Sequence, residues 1–225
     1  MYIEVAVSTS IIMILSAILA MLLTIDYARK RAKSLALWSS GMWAFTASVA
    51  LEIVFSAGIY GPLLIKSYMF LVAFLVELLA MGSMFLLKNR KAEMAYILYS
   101  VIVTVFLAVE LAVSNLGNIV VNGVVYGVLP MGAIIGSSLL TFPAAVLLVV
   151  ISIVSYMKTR GPKLLSIIAG VIVVSVAGTL YIAAFPAFLY FAEFIGILLL
   201  WLGFVDFSAL FSRKPMGEGA ANRNL

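Results

Sequence analysis

The chain contains no cysteine and no histidine. The first absence removes disulfides, thiol nucleophiles and thiolate metal centres, and the second removes the commonest general base and metal ligand. Charge is scarce too. Asp, Glu, Lys and Arg make up 10% of the 225 residues, where a soluble domain carries roughly a quarter. With 65% hydrophobic residues and a mean hydropathy of +1.25, the surface is expected to face lipid. There is no Gly-rich phosphate loop, no Gly-x-Ser-x-Gly turn and no paired acidic motif, so the reading is a protein that is not an enzyme, with no cofactor and no bound metal. The net charge of +5 does not point to nucleic acid, because no basic domain exists outside the apolar segments to carry such binding.

What is present is a regular alternation of apolar segments and basic clusters. Of the 14 Lys and Arg residues, all but Lys66 fall into four groups: Arg29 to Lys33, Lys88 to Lys91, Lys158 to Lys163, and Arg213 to Arg223. Each group follows every second apolar segment. About 20 apolar residues span a bilayer core, and seven segments qualify, at 4–26, 34–58, 63–87, 93–115, 129–157, 163–185 and 187–211. Short loops rich in Lys and Arg resist translocation. The expected fold is therefore an all-α, polytopic bundle of seven transmembrane helices in the cell membrane, with the N-terminus outside and the C-terminus cytoplasmic. The first helix has no basic residue before it and is expected to stay uncleaved. Residues 213–225 have almost nothing apolar to bury and are expected to form a disordered tail.

The connection between the fourth and fifth helices differs from the others. Asn122-Gly123 lies between two β-branched runs, which predicts a short β-hairpin over the outer face. Trp38, Trp43, Tyr27, Tyr96 and Tyr156 suit an aromatic belt, and Trp201 suits core packing. Asp26 precedes Arg29 and Lys30 at ion-pair spacing. Gly132-x-x-x-Gly136 predicts close approach to a neighbouring helix, and Pro143 predicts a kink or a freed carbonyl in the fifth helix.

Ionisable residues inside a membrane are costly and default to functional candidates. Glu52, Glu110 and Glu193 each fall five or six residues from the outer end of a helix, about 8–9 Å below that surface. Glu77 lies deeper on the third helix, and Lys66 starts the same helix on the outer side. Two readings compete for this set. One is a binding site for a cation, a proton or a small solute, with an outward acidic vestibule leading to Glu77. The other is structural, with Lys66 and nearby hydroxyls satisfying the carboxyls. The leading functional expectation is a proton- or cation-coupled transporter or permeation protein. The alternative is a receptor or a membrane-embedded partner subunit, and either could form a homo-oligomer. Membrane lipids are the expected surroundings in each case.

Seven helices with an outside N-terminus resemble the rhodopsin architecture. The seventh segment, however, from Tyr190 through Glu193, Gly196 and Trp201 to Phe204, contains no lysine for a retinal Schiff base. Trp38 to Phe45, Gly58, Tyr68, Leu79 to Leu87, Gly170 to Leu180 and Gly203-Phe204 resemble a widespread family of uncharacterised prokaryotic seven-helix membrane proteins. That resemblance implies the fold and no functional residue.

Overall fold

The computed structural model describes residues 2–116, 120–121, 124–125, 129–160, 165–167, 169–170, 173 and 186–204. The helices are α1 (Tyr2–Lys30), α2 (Lys33–Ser56), α3 (Pro62–Met84), α4 (Arg90–Val113), α5 (Met131–Thr159) and α6 (Pro186–Phe204). A 3-10 turn, Phe85–Leu87, extends α3. Of the expected sixth segment, residues 165–167, 169–170 and 173 are helical. The expected tail at 213–225 lies outside the described residues.

Local chemistry accounts for several of the helix ends. Gly58, at φ +81°, closes α2: its N–H donates to the Phe55 carbonyl at 2.9 Å, and Ile59 N–H donates to the Val54 carbonyl at 3.2 Å. Such a pair of bonds caps helices where a glycine can take the left-handed conformation. Pro62 starts α3, where its missing N–H costs nothing. The Asn89 side chain accepts from Ala92 N–H at the start of α4, and Glu93 sits in the first turn. Three helices end on a basic residue in left-handed backbone, namely Arg31, Lys88 and Arg160. Arg31 and Arg160 each donate N–H to the carbonyl of a tyrosine four residues earlier, both at 2.7 Å.

Contacts across the bundle set an up-and-down arrangement for α1 to α5. Thr46 Oγ1 donates to Ser16 Oγ at 3.0 Å and Trp43 Nε1 to Thr24 Oγ1 at 3.1 Å, so α1 and α2 run antiparallel. Trp38 Nε1 reaches the Leu79 carbonyl at 3.2 Å at one end of α3, while Tyr68 meets Glu52 at the other. The pairs Glu77–Tyr96 and Lys66–Ala112 do the same for α3 and α4. One end of the bundle therefore carries the basic clusters around Arg31, Lys88 and Arg160. Lys66 lies towards the opposite end, as do Glu52 and Glu110.

Glycines permit the closest approaches. A Cβ on Gly82 would fall 2.5 Å from the Trp38 ring, and one on Gly41 would fall 3.3 Å from the Leu75 carbonyl. Gly132 and Gly136 both face α4, against Glu110 and Leu107 respectively. The Gly-x-x-x-Gly spacing thus serves a contact between neighbouring helices. Helix α3 is central: 50% of its apolar stretch is buried, against 28% in α4 and α5. It packs on α2, α4 and α5, and α6 packs on α1, where Trp201 Nε1 donates to the Leu15 carbonyl at 3.0 Å.

The outside of the bundle is as apolar as its core. Val7, Ile11, Ile14, Ile18, Met21 and Ile25 form an exposed stripe along α1. Met94, Leu98, Val101, Val105 and Val109 do so on α4, as do Phe142, Val146, Val150 and Met157 on α5. Apolar faces of this extent are not stable against water. Among the described residues, five helices are long and apolar enough to cross a membrane, and the helix at Phe191–Gly203 is shorter and equally apolar in character. The chain is an integral membrane protein built as an all-helical bundle.

Between α4 and α5 lie two short strands, β1 (Val120–Val121) and β2 (Val124–Val125), paired antiparallel with Val121 opposite Val124. The register leaves two residues for the turn, at the Asn122-Gly123 position. Those two residues themselves lie outside the described set.

Candidate functional site

The buried polar side chains fall into two kinds. Serines such as Ser16, Ser39, Ser48 and Ser83 bond back to a carbonyl three or four residues earlier on their own helix, at 2.8–2.9 Å. Their hydroxyl protons are satisfied locally, on their own helix. Glu52, Glu77 and Glu193 are different. They are 5%, 0% and 8% exposed, and each keeps one carboxyl oxygen with no hydrogen-bond partner among the described residues. An orphaned polar atom in an apolar interior costs roughly 1–3 kcal/mol, so each calls for an explanation.

The first cluster joins α2, α3 and α6. Tyr68 Oη donates to Glu52 Oε1 at 2.7 Å, and the Tyr68 ring packs edge-on against Phe55 with centroids 5.6 Å apart. Glu193 approaches from α6, close enough for its carboxyl to interact electrostatically with that of Glu52. Glu52 Oε2 and Glu193 Oε2 are the unpartnered atoms. Helix register brings a further polar group to this level. From the Thr46–Ser16 contact, six residues along α2 reach Glu52, and an equal rise of about 9 Å back along α1 reaches Ser10 and the fully buried Thr9.

The second cluster joins α3 and α4. Tyr96 Oη donates to Glu77 Oε2 at 2.9 Å, and Ser100, one turn further along α4, adds a side-chain hydrogen bond to the same carboxyl. Glu77 Oε1 is unpartnered. Tyr96 stacks on Tyr99, with centroids 6.1 Å apart and planes at 27°. Tyr99 Oη donates in turn to the Leu139 carbonyl on α5 at 2.6 Å. Pro143 lies inside α5, and an α-helical carbonyl expects its donor four residues later. Proline has no N–H, so the Leu139 carbonyl is the one that Pro143 leaves free, and Tyr99 supplies the missing donor.

The remaining sequence candidates lie elsewhere. Glu110 is half-buried, with its carboxyl against Gly132 at the first turn of α5, where the positive end of a helix favours an anion. Lys66 Nζ donates to the Ala112 carbonyl at 2.9 Å, near the end of α4. Among the described residues the one ion pair is Lys30–Asp26 at 3.2 Å, so Lys66 pairs with a backbone oxygen and with no carboxylate there. The structure therefore leaves Glu52 and Glu193 within electrostatic range of each other. It keeps Glu77 in a separate pocket of hydroxyls and leaves Glu110 and Lys66 at the α4 boundary. Along the helices Glu110 is three residues from the end of α4, Glu52 four from the end of α2 and Glu193 seven from the start of α6, about 5, 6 and 10 Å deep.

Sequence reading did not single out Tyr68 or Ser100 as site residues, and it placed Tyr96 in an aromatic belt. The available signal was a hydroxyl within an apolar span, a weak one because most such groups bond locally. No group of three or more acidic residues able to hold a metal ion occurs among the described residues. No family model, curated protein or solved structure matches the chain.

Proposed function

We propose that the protein is a proton- or cation-coupled transporter of small solutes or ions, and that Glu52 and Glu193 form its exchange site. One observation carries the reading: two carboxyls from the first and second halves of the chain lie in an apolar interior within electrostatic range of each other, each with one oxygen that has no hydrogen-bond partner among the described residues. Two carboxyls in a low-dielectric interior need a counter-charge between them, either a proton or a cation. Tyr68 orients one of them with a hydroxyl and brings no charge of its own. A purely structural arrangement would close both orphaned oxygens with donors. An exchange site leaves them for the ion.

The reading takes the chain as seven spans in the cell membrane, in keeping with the prokaryotic family it resembles. The basic ends of α1, α3 and α5 lie in the cytoplasm, and Glu52 and Glu193 lie in the half of the membrane that faces outwards. Glu110, at the α5 terminus, is a positioning group and not part of the exchange site. Purified protein reconstituted in liposomes, under imposed pH, sodium or potassium gradients, tests the proposal. The parent carries flux, Glu52→Gln and Glu193→Gln lose it, and Glu110→Gln keeps it. No flux in the parent under any gradient, or undiminished flux in both variants, defeats the reading.

A further inference from the structure

We propose that Glu77, held by Tyr96 and Ser100, is a second proton-binding site, and that Tyr99 couples its occupancy to a hinge at Pro143. The inference rests on its own geometry and does not require the transport reading. Glu77 is fully buried, with Oε2 accepting from Tyr96 and the other oxygen, Oε1, without a hydrogen-bond partner among the described residues. One carboxyl and two hydroxyls bring too few oxygens for a hard metal cation, which takes about six or more. A proton fits the vacancy. It adds to Oε1 to form a carboxylic O–H, and no other group is consumed or released.

Among the described residues no other charged group competes for that role at this level. Helices α2 and α5, which also pack on α3, carry titratable residues only towards their ends: Lys33 and Glu52 on α2, Tyr156 and Lys158 on α5. On α3 the others are Lys66 and Tyr68, and on α4 the nearest are Glu93, Tyr96 and Tyr99. The connection to α5 is physical. A carboxylate accepts a stronger hydrogen bond than a neutral acid does, so protonation weakens the hold of Glu77 on Tyr96. Tyr96 stacks on Tyr99, and Tyr99 bonds the carbonyl exposed by Pro143. A proline break is where a helix bends at least cost. Release of Tyr96 therefore loosens the bond that braces α5 at its weakest turn.

Because the chain has no cysteine, two introduced cysteines report without background. Met94→Cys on α4 and Met157→Cys on α5 replace residues 64% and 73% exposed, and spin labels there read the helix separation in liposomes. The labelled parent is expected to show a distance distribution that shifts between alkaline and acid pH. Glu77→Gln should hold the acid-like distribution at all pH values and remove a carboxylic C=O infrared band present in the parent. Glu52→Gln should leave the shift intact, which separates this result from the fate of the exchange-site reading. Tyr99→Phe should abolish the shift. Should that variant fold poorly, Tyr99→Phe with Pro143→Ala returns a helical N–H to the Leu139 carbonyl, so melting recovers while the shift stays absent. A parent without a pH-dependent shift, a shift that survives Glu77→Gln, or a double variant that regains the shift overturns the proposal.

Discussion

The two carboxyl clusters are each built on α3, and α3 plays opposite parts in them. At one end it supplies the hydroxyl, Tyr68, to a carboxyl on the preceding helix. Nine residues later it supplies the carboxyl, Glu77, to a hydroxyl on the following helix. The tyrosine–glutamate bond is nearly the same in both, at 2.7 and 2.9 Å. What differs is the third partner. The first cluster has a second carboxyl, from α6, within electrostatic range, and the second has, among the described residues, Ser100 and the stacked Tyr99. A hydroxyl orients a carboxyl, whereas a second carboxyl creates a demand for positive charge. In our proposal the same pairwise contact serves an ion in one place and a proton-sensitive brace in the other.

Flux measurements break that comparison most sharply. Glu52→Gln and Glu193→Gln should each lower proteoliposome flux by at least about tenfold, equivalent to about 1.4 kcal/mol. The double variant should be no worse than either single one, because the two act as a unit. Additive losses would mean that they work apart. Glu77→Gln should also suppress flux, but its effect should multiply with that of Glu52→Gln, as expected of a separate site.

Packing between α2 and α3, on which both clusters depend, is tested next. Gly82→Val drives a side chain into the Trp38 ring and should cost about 3 kcal/mol, read as a large fall in the thermal unfolding midpoint in detergent. A midpoint unchanged from the parent would show that α2 and α3 can separate freely. Smaller effects follow for Tyr68→Phe and Tyr96→Phe. Each removes the donor to a buried carboxyl and should cost about 1–3 kcal/mol of stability. Their sizes should match each other if the two tyrosine–glutamate bonds are equivalent. The smallest effect belongs to Lys66→Met, which loses a single exposed bond to the Ala112 carbonyl and should cost about 0.5–1 kcal/mol. A loss of flux in Lys66→Met would instead return this lysine to the site.

Much of the architecture was legible before any contact was known. Apolar length located the helices to within a few residues, since α2 runs 33–56 where 34–58 was expected and α5 runs 131–159 where 129–157 was expected. Asp26 meets Lys30 at the spacing that its position implied. Trp201, partly buried, packs against the core, and Gly132-x-x-x-Gly136 faces a neighbouring helix. Pro143 frees a carbonyl as its missing N–H requires. These outcomes depend on chain-local quantities: residue volume, helix period, and the donors and acceptors each residue owns.

The partners were another matter. Equal distances from helix ends suggested that Glu52, Glu110 and Glu193 form one set, yet depth along a helix says nothing about the direction in which its face points. A residue's azimuth about the helix axis is set by which neighbour packs where, and that leaves Glu193 within electrostatic range of Glu52 while Glu110 rests on Gly132. Tyr68, Tyr96 and Ser100 became site residues for the same reason, since a hydroxyl in an apolar span bonds its own helix unless a neighbouring helix presents something better. Composition alone made this a membrane protein, because the backbone of an apolar chain must satisfy itself inside helices. Only the tertiary packing decided which of its few buried carboxyls lie near one another, because in the absence of water a carboxyl is paired by whatever the adjacent helix carries.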